Sequence, residues 1–338
     1  MKNKVLRLTA LFLCIGVTAG AASAQRNRNV TASRNPSTLM SALPPSDAVA
    51  LIKVDRVLDE ALPKLLAENP AKLAEVNAEL AKFKNDTGLD PRSFDQMALG
   101  LQYSYPREGV TKIRSVVLAR GTFNAGAIVA AGRLAADGKY QEQKYQGKTI
   151  YLFSLDQQLK LAGLWDIKLG ELAVTSLDGG TLAMGDLEAV RSTIDAGKSR
   201  KHANPELIAL ATRDPNAIIG FGGDLSEALM QNLRITNDGI ARELTAVRKV
   251  FGSLGMTSND LELTVSARTV DAESAKNLGD TVEGLKQLGG FFVNRLSAAK
   301  SALAKSALSN LKITIQGNEL QLRTAVAQSQ VTPLIRGY

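Results

Sequence analysis

The stretch Glu171–Gly197, ELAVTSLDGGTLAMGDLEAVRSTIDAG, decides how the rest of the chain is read. Leu172, Val174 and Leu177, and then Leu182, Ala183 and Met184, form short apolar runs on either side of Asp178-Gly179-Gly180. Asp-Gly between two such runs signals a hairpin, because glycine accepts the positive φ that tight two-residue turns demand. Asp186 stands where a helix N-cap belongs. Leu187, Val190 and Ile194 supply an apolar stripe at helical spacing, and Gly197 sits where a left-handed residue would close the helix. The expectation is strand, turn, strand, helix. It is a packing unit, and no residue in it performs chemistry.

Working outward, a similar plan occurs twice. A shift of 169 positions lays Asn35-Pro36 on Asn204-Pro205, Ala42 on Ala211, Ala48 on Ala217 and Asp55 on Asp224. Ala48–Asp55 and Ala217–Asp224 both read as an apolar strand closed by an aspartate able to cap a helix. After Asp55, Leu58, Leu62, Leu65 and Leu66 carry a helical stripe. It breaks at Asn69-Pro70 and resumes through Leu73, Val76, Leu80 and Phe83. After Asp224, Leu225, Leu229 and Leu233 lead to a break at Thr236-Asn237-Asp238, and Ile240, Leu244, Val247, Phe251 and Leu254 continue at helical spacing to Gly255.

Strands follow, over Met97–Tyr105 and Ile113–Arg120 in the first half and Asp260–Val270 in the second. Asn124 and Asp271 are caps for the next helices, the second of which carries Ala275, Leu278, Val282 and Leu285. Each half closes on a hairpin. In the second, a two-residue turn at Gly317-Asn318 sets Ile315 opposite Leu320 and Ile313 opposite Leu322. The fold expected is α+β: two similar halves, each a mostly antiparallel sheet with helices packed on one face. The sequence leaves open whether the halves are separate domains or share a sheet.

The chain opens on Lys2, Lys4 and Arg7, an apolar run Leu8–Ala19, and Ala22-Ser23-Ala24, which together read as a secretory leader cut before Gln25. Cys14, the single cysteine, lies inside that run, so the mature chain has none and must hold itself by its core. Six of the 41 basic residues precede residue 35, leaving 35 against 33 acidic ones, a balance of +2 for the rest. Nucleic-acid binding therefore has no electrostatic footprint in the folded part. The organisation expected is leader 1–24, polar arm 25–46, first half 47–203, second half 204–330 and tail 331–338, with no transmembrane helix in the mature chain.

Catalytic and ligand motifs are weak. Gly147-Lys148-Thr149 ends like a phosphate-binding loop, but Glu142 occupies the first glycine's place and a strand follows where a helix N-terminus is needed. Gly220-Phe221-Gly222-Gly223 lacks the third glycine of a dinucleotide fingerprint, and reads as close backbone approach. Ser297 and Lys300 have Ser-x-x-Lys spacing within a low-complexity run and no accompanying motif. His202, the single histidine, lies in a polar linker, which rules out a multi-histidine metal site. Asp86, Asp90 and Asp95 fail the calcium-loop spacing, and Asp90-Pro91 reads as a turn. Asp55 and Asp224 read as helix caps rather than as an acid pair. No catalytic, cofactor or metal site is expected. One possible recognition patch remains, Tyr103, Tyr105, Tyr140, Tyr145 and Tyr151, concentrated in the strands and hairpins of the first half.

The phrases LPPSDAVALIKVDRVLDEALPKLL (Leu43–Leu66), YQGKTIYLF (Tyr145–Phe153) and LAVTSLDGGTLAMGDLEAVRSTID (Leu172–Asp195) resemble a loose group of exported bacterial proteins known only as domains of unknown function. That resemblance implies no activity. The expectation is an exported periplasmic or cell-envelope protein that is not an enzyme and binds or supports an envelope protein, polymer or lipid. A carrier of an apolar small molecule or lipid is the alternative, and a hydrolase with an unrecognised site the third.

Overall fold

The computed structural model describes residues 36–331 except 88, 108, 137, 162–164, 200, 233–237 and 294–295. The expected leader, the first part of the arm, Leu233 and most of the tail lie outside the described residues. The chain forms two compact units. The first comprises the residues up to Ser46, Ile52–Leu101 and Arg114–Ala203; the second comprises Asp47–Leu51, Gln102–Ile113 and the residues from Asn204 on. Both are α+β, with antiparallel strand pairs.

In the first unit, α1 (Pro36–Met40) buries Leu39 and Met40. Strand β1 (Ala48–Lys53), whose residues as far as Leu51 belong to the second unit, buries alternate residues, Val49 and Leu51. The leucine stripe that follows forms α2 (Val54–Arg56), a π-helical turn over Val57–Ala61 and α3 (Leu62–Leu65), burying Leu58, Leu62 and Leu66. Asn69 caps α4 (Pro70–Thr87) through a 3.1 Å bond from the Lys72 amide, with proline in the first turn where its missing N–H costs nothing. Asp90-Pro91 makes the expected turn, its carboxylate accepting from the Arg92 amide at 3.0 Å. Then come β2 (Phe94–Arg107), β3 (Val110–Gly121), α5 (Ala125–Ala135), β4 (Tyr140–Tyr145), β5 (Lys148–Leu161), β6 (Trp165–Asp178), β7 (Thr181–Gly185) and α6 (Leu187–Ser199). Asn124 caps α5 as expected, accepting from the Ala127 amide at 3.0 Å. The strand order in this unit is β2-β3-β7-β6-β5-β4.

The opening stretch is strand, turn, strand, helix, but three of its polar details differ. Gly179 and Gly180 are not among the positive-φ residues; instead Asp178 Oδ1 accepts the Gly180 amide at 2.9 Å. Space there is tight, since a Cβ on Gly180 would lie 3.0 Å from the Gly121 carbonyl oxygen. Asp186 takes the position ahead of α6, its carbonyl accepting the Val190 amide at 2.9 Å. Its Oδ2, however, reaches across to β3, accepting from the Ser115 amide at 2.6 Å and its hydroxyl at 3.1 Å. A charged acceptor takes the shorter path to an exposed strand amide, and position 185 makes that path possible. Gly185 has φ of +149°, and a Cβ there would lie 2.2 Å from the Ser115 carbonyl oxygen. Gly197 lies inside α6, which runs on to Ser199.

In the second unit the elements are α7 (Pro205–Ala211), β8 (Ala217–Asp224), α8 (Glu227–Asn232), α9 (Asp238–Thr245), β9 (Val247–Met256), β10 (Asp260–Thr269), α10 (Ala272–Val293), α11 (Ala298–Ser309), β11 (Lys312–Gln316), β12 (Glu319–Ala327) and α12 (Gln328–Val331). The strand order is β11-β12-β10-β9-β8-β1. Asn204 caps α7 and Asp271 caps α10. The β11–β12 register is the one the turn dictates, Ile313 opposite Leu322 and Ile315 opposite Leu320. Val247, Leu278 and Leu320 form the buried cluster beneath α10.

The helix expected to run through Val247, Phe251 and Leu254 ends at Thr245, and those residues belong to β9. Spacing of four is shared by one helix face and one strand face. Here Val247, Val250 and Phe251 with Gly252 and Gly255 favour the extended chain. The correction brings the halves closer, because each now has a first hairpin (β2–β3, β9–β10), a helix, and a closing hairpin (β6–β7, β11–β12). In both, the last strand lies beside the second strand of the first hairpin, β7 by β3 and β12 by β10.

Candidate functional site

The five tyrosines divide between the units. Tyr103 and Tyr105 lie in the part of β2 that belongs to the second unit. The Tyr103 amide donates to Asp47 Oδ2 at 2.7 Å; burial raises the phenol pKa, and the Asp47 carboxylate adds to that rise. Tyr105 meets the hydroxyl of Ser226 at 3.3 Å, and Ser226 in turn accepts the Leu229 amide at the start of α8.

Tyr140, Tyr145 and Tyr151 belong to the β4–β5 hairpin of the first unit, on two faces of it. Tyr140 and Tyr151 share one face with Phe153, their ring centroids 6.2 and 6.0 Å from that of Tyr140. Arg133, from α5, lies over both tyrosine rings at 5.3 and 5.2 Å, donates to the Tyr140 hydroxyl at 3.1 Å and pairs with Glu142 at 3.0 Å. Next to it Leu134 is 83% exposed. Tyr145, five residues on, points to the opposite face and donates to Asp195 of α6 at 2.7 Å, a bond that raises its own pKa. Arg191 stacks over the Tyr145 ring at 5.4 Å and donates to Gln143 at 2.7 Å. At this end of the sheet a helix therefore lies on each face, α5 on one and α6 on the other. The hydroxyls of Tyr140 and Tyr145 are committed to structural partners.

A second polar cluster runs across four strands of the second unit. The registers place Asp224 of β8 opposite Lys249 of β9, Lys249 opposite Arg268 of β10, and Arg268 opposite Glu319 of β12. Glu206 of α7 bridges Arg268 at 2.5 Å and Lys249 at 3.2 Å, Lys249 meets Asp224 at 2.5 Å, and Glu319 is held by Arg268 at 2.7 Å and Arg213 at 2.9 Å. Arg213 and Arg268 also stack on Phe251. Burial is the largest single influence on Glu319 and raises its pKa, but hydrogen bonds and charge from the two arginines together hold it below the usual range. For Lys249 burial lowers the pKa, and the carboxylates of Asp224 and Glu206 outweigh it, leaving it raised. Three cations and three carboxylates neutralise one another, so the row ties β8, β9, β10 and β12 to α7 and presents no uncompensated charge. It has no local sequence signature, because its members meet only through strand register.

The remaining candidates fall into structural roles. Gln146-Gly147 is the β4–β5 turn, and Lys148 donates to the Leu177 carbonyl at 2.7 Å, so no phosphate loop forms. Gly220 and Gly222 admit α7 onto β8: Cβ atoms there would lie 1.9 Å from the Ala211 and 2.9 Å from the Leu207 carbonyl oxygens. Asp55 and Asp224 are not the caps expected. Asp55 lies inside α2, its carboxylate accepting the Arg56 amide, and Asp224 ends β8 against Lys249. Asp55 is already within the helix, past the cap position, which Lys53 occupies, and Asp224 is taken by Lys249 of the neighbouring strand. Ser297 precedes α11 without a side-chain cap bond, and it, Lys300 and His202 are exposed. Among the described residues no group of three or more His, Cys, Asp or Glu is placed to hold a metal ion.

One surface has no signature in the sequence. Helix α10 buries Ala275 and Leu278 near its start, and Gly279 lies against Ile315. Farther along, Leu285 and Leu288 are 50% and 53% exposed, and Leu296, beyond its end, is 46% exposed. Periodicity places Leu285 on the packed stripe but does not say where the packing partner ends.

No family model matches the chain, and no curated protein matches it. Among solved structures, crystal forms IV, III and I of TP0453 align with 88% of this chain and 96% of theirs, at TM-scores of 0.44, 0.42 and 0.41 and identities of 10%, 10% and 9%. No property of TP0453 carries over at that level of likeness.

Proposed function

We propose that this is an exported protein that works without chemistry, binding to or supporting a component of the cell envelope through the exposed leucines of α10. The observation that carries this reading is the exposure of Leu285 and Leu288 on α10, with Leu296 exposed just beyond its end, although the same helix is packed at Ala275, Leu278 and Val293. Leucines held at the surface favour an interaction face, whereas a carrier holds its apolar cargo in an internal cavity. The commitment of the tyrosine hydroxyls and the charged row to structural partners also favours binding over catalysis. Among the described residues no helix is long and apolar enough to cross a membrane.

The test is co-sedimentation of the purified chain with three separate targets: whole envelope membranes, protein-free lipid vesicles and insoluble wall polymer. Binding to one of them, lost in Leu285→Ser/Leu288→Ser while the circular dichroism melt is kept, supports the reading. Binding to none, or binding that the double variant keeps, refutes it. Stoichiometric lipid found by mass spectrometry in the purified protein would favour the carrier instead, and retention of uncut chain in the cytoplasm would refute export.

A further inference from the structure

Strand β4, Tyr140-Gln-Glu-Gln-Lys-Tyr145, ends the strand order of the first unit, and among the described residues nothing pairs with its outer side. Which backbone groups face out follows from the hairpin turn. Gln146 and Gly147 have φ of 49° and 83°, the two positive values of a type I′ turn, so the flanking pair Tyr145 and Lys148 exchanges both its hydrogen bonds. Alternation along an antiparallel ladder then turns the N–H and C=O of Gln141, Gln143 and Tyr145 toward β5, and those of Tyr140, Glu142 and Lys144 outward. The side chains of Gln141, Glu142 and Lys144 are exposed.

A free edge of this kind accepts another strand, and we propose that the strand is β4 of a second copy of this chain, antiparallel about a two-fold axis through Gln143. That register sets Gln143 opposite the second copy's Gln143, and Glu142 opposite its Lys144 on both sides of the axis. The outward groups of Glu142 and Lys144 then form hydrogen-bonded pairs, about four backbone bonds in all. Two opposite-charge pairs lie directly across the junction. Centring the axis on residue 142 instead sets glutamate against glutamate, and on 144 lysine against lysine, which like charges directly opposite disfavour. Of these three registers the charge pattern selects the one centred on Gln143, and an axis through Gln141, which sets Tyr140 opposite Glu142, forms no ion pair. Lysine on an edge strand ordinarily discourages pairing; a glutamate two residues before it makes the edge self-complementary. Both side chains are already positioned on one face, Glu142 by Arg133 at 3.0 Å and Lys144 by the Thr149 hydroxyl at 2.6 Å. The inference uses the first unit alone and stands independently of the α10 surface.

Two measurements test it, on the full chain carrying Cys14→Ser so that no other thiol is present. In the proposed register Gln143→Cys brings two Cβ atoms to about 4.5–5.5 Å across the axis and forms a disulfide dimer under mild oxidation. Gln141→Cys sets its two thiols about 13 Å apart along the strands and does not. By sedimentation equilibrium, Glu142→Lys and Lys144→Glu each weaken self-association roughly tenfold, because each places like charges at both symmetry-related pairs. Mixing the two variants restores association as a heterodimer, since every lysine then faces a glutamate. A chain that stays monomeric at every soluble concentration, a Gln141→Cys dimer as abundant as the Gln143→Cys one, or single variants that associate like the parent and gain nothing on mixing would each overturn the proposal.

Discussion

Replacing Gly220 by alanine tests whether α7 rests directly on the backbone of β8. The added Cβ would stand 1.9 Å from the carbonyl oxygen of Ala211 and 3.1 Å from its carbonyl carbon. Helix or strand must therefore give way by about 1 Å, and neither side is a flexible side chain. On the helix side, Leu207, Ile208, Leu210 and Ala211 are all buried, the Asn204 cap fixes the start, and Thr212 donates to the Ile208 carbonyl at 2.8 Å. On the strand side, β8 is locked between β9 and β1. A gap of 0.5–1 Å forfeits roughly a quarter to a half of the dispersion energy of the contacts it opens, so the loss spreads over all four buried residues. Overpacking of a core ordinarily costs about 1–3 kcal/mol, and a backbone obstacle places this case at the upper end. Opposing it, alanine reduces the entropy of the unfolded chain by about 0.5–1 kcal/mol. The steric term wins by about 2 kcal/mol, a fall in Tm of about 4–8 °C. Urea denaturation and a thermal melt, both followed by far-UV circular dichroism, measure the difference. A Gly220→Ala chain within about 0.5 kcal/mol of the parent would refute the direct helix-on-strand contact.

The opposite sign is expected for Gly197→Ala, because Gly197 lies within α6 with nothing inside 4 Å of its added Cβ; the gain is about 0.5–1 kcal/mol in the same denaturation experiment. Asn124→Ala removes the bond to the Ala127 amide and costs about 1 kcal/mol, which Asn124→Asp keeps; a common Tm for all three chains would contradict the cap. Because Glu319 is held below its unfolded pKa, its contribution is present at neutral pH and is lost as pH falls through the folded-state value. Glu319→Gln is therefore less stable than the parent at pH 7 and loses less on acidification, whereas parallel pH–stability curves would rule out this role. The sign reverses for Lys249, whose raised pKa makes its contribution disappear as pH climbs through the folded-state value; Lys249→Met flattens the alkaline limb of that curve.

Signals that act over a few residues were readable in the chain. Asn69, Asn124, Asn204 and Asp271 each accept a helix amide, because a short polar side chain ahead of an apolar stripe has that amide within reach. The β11–β12 register followed from a two-residue turn whose apolar pairs allow one alignment. Errors arose where a local pattern had two physical solutions. A four-residue spacing such as Val247 to Phe251 suits one face of a helix and also an extended strand, and the partner strands β8 and β10, remote in sequence, decide it. A register shift at Arg268/Thr269 lets Val247 join the α10 cluster while Phe251 faces Arg213 and Arg268. Aspartates 186 and 224 looked like side-chain caps, yet Ser115 and Lys249 reach their carboxylates first, and both come from other strands. The tyrosines were visible but their partners were not, since Arg133 and Asp195 arrive from helices and the unit boundary separates Tyr103 and Tyr105 from the rest. The cross-strand charge row was invisible for the same reason. Residue type alone does not report which four strands become neighbours.

The position where the two halves differ bears on association. Between the middle helix and the closing hairpin the first half carries β4–β5, while the second carries α11. The hairpin continues the first unit's strand order past β6, the counterpart of β11, so one edge is covered and another is created at β4. In the second unit β11 itself remains the end of the order. Its sequence, Lys312-Ile-Thr-Ile-Gln316, contains no acidic residue. A two-fold pairing centred on Thr314 would set Lys312 against Gln316 with no ion pair, whereas β4 sets Glu142 against Lys144 twice. The two edges thus have the same exposed backbone chemistry but unequal self-complementarity. If copies associate by strand addition, charge reversal in β4 will control it, and Lys312→Glu in β11 will leave it unchanged.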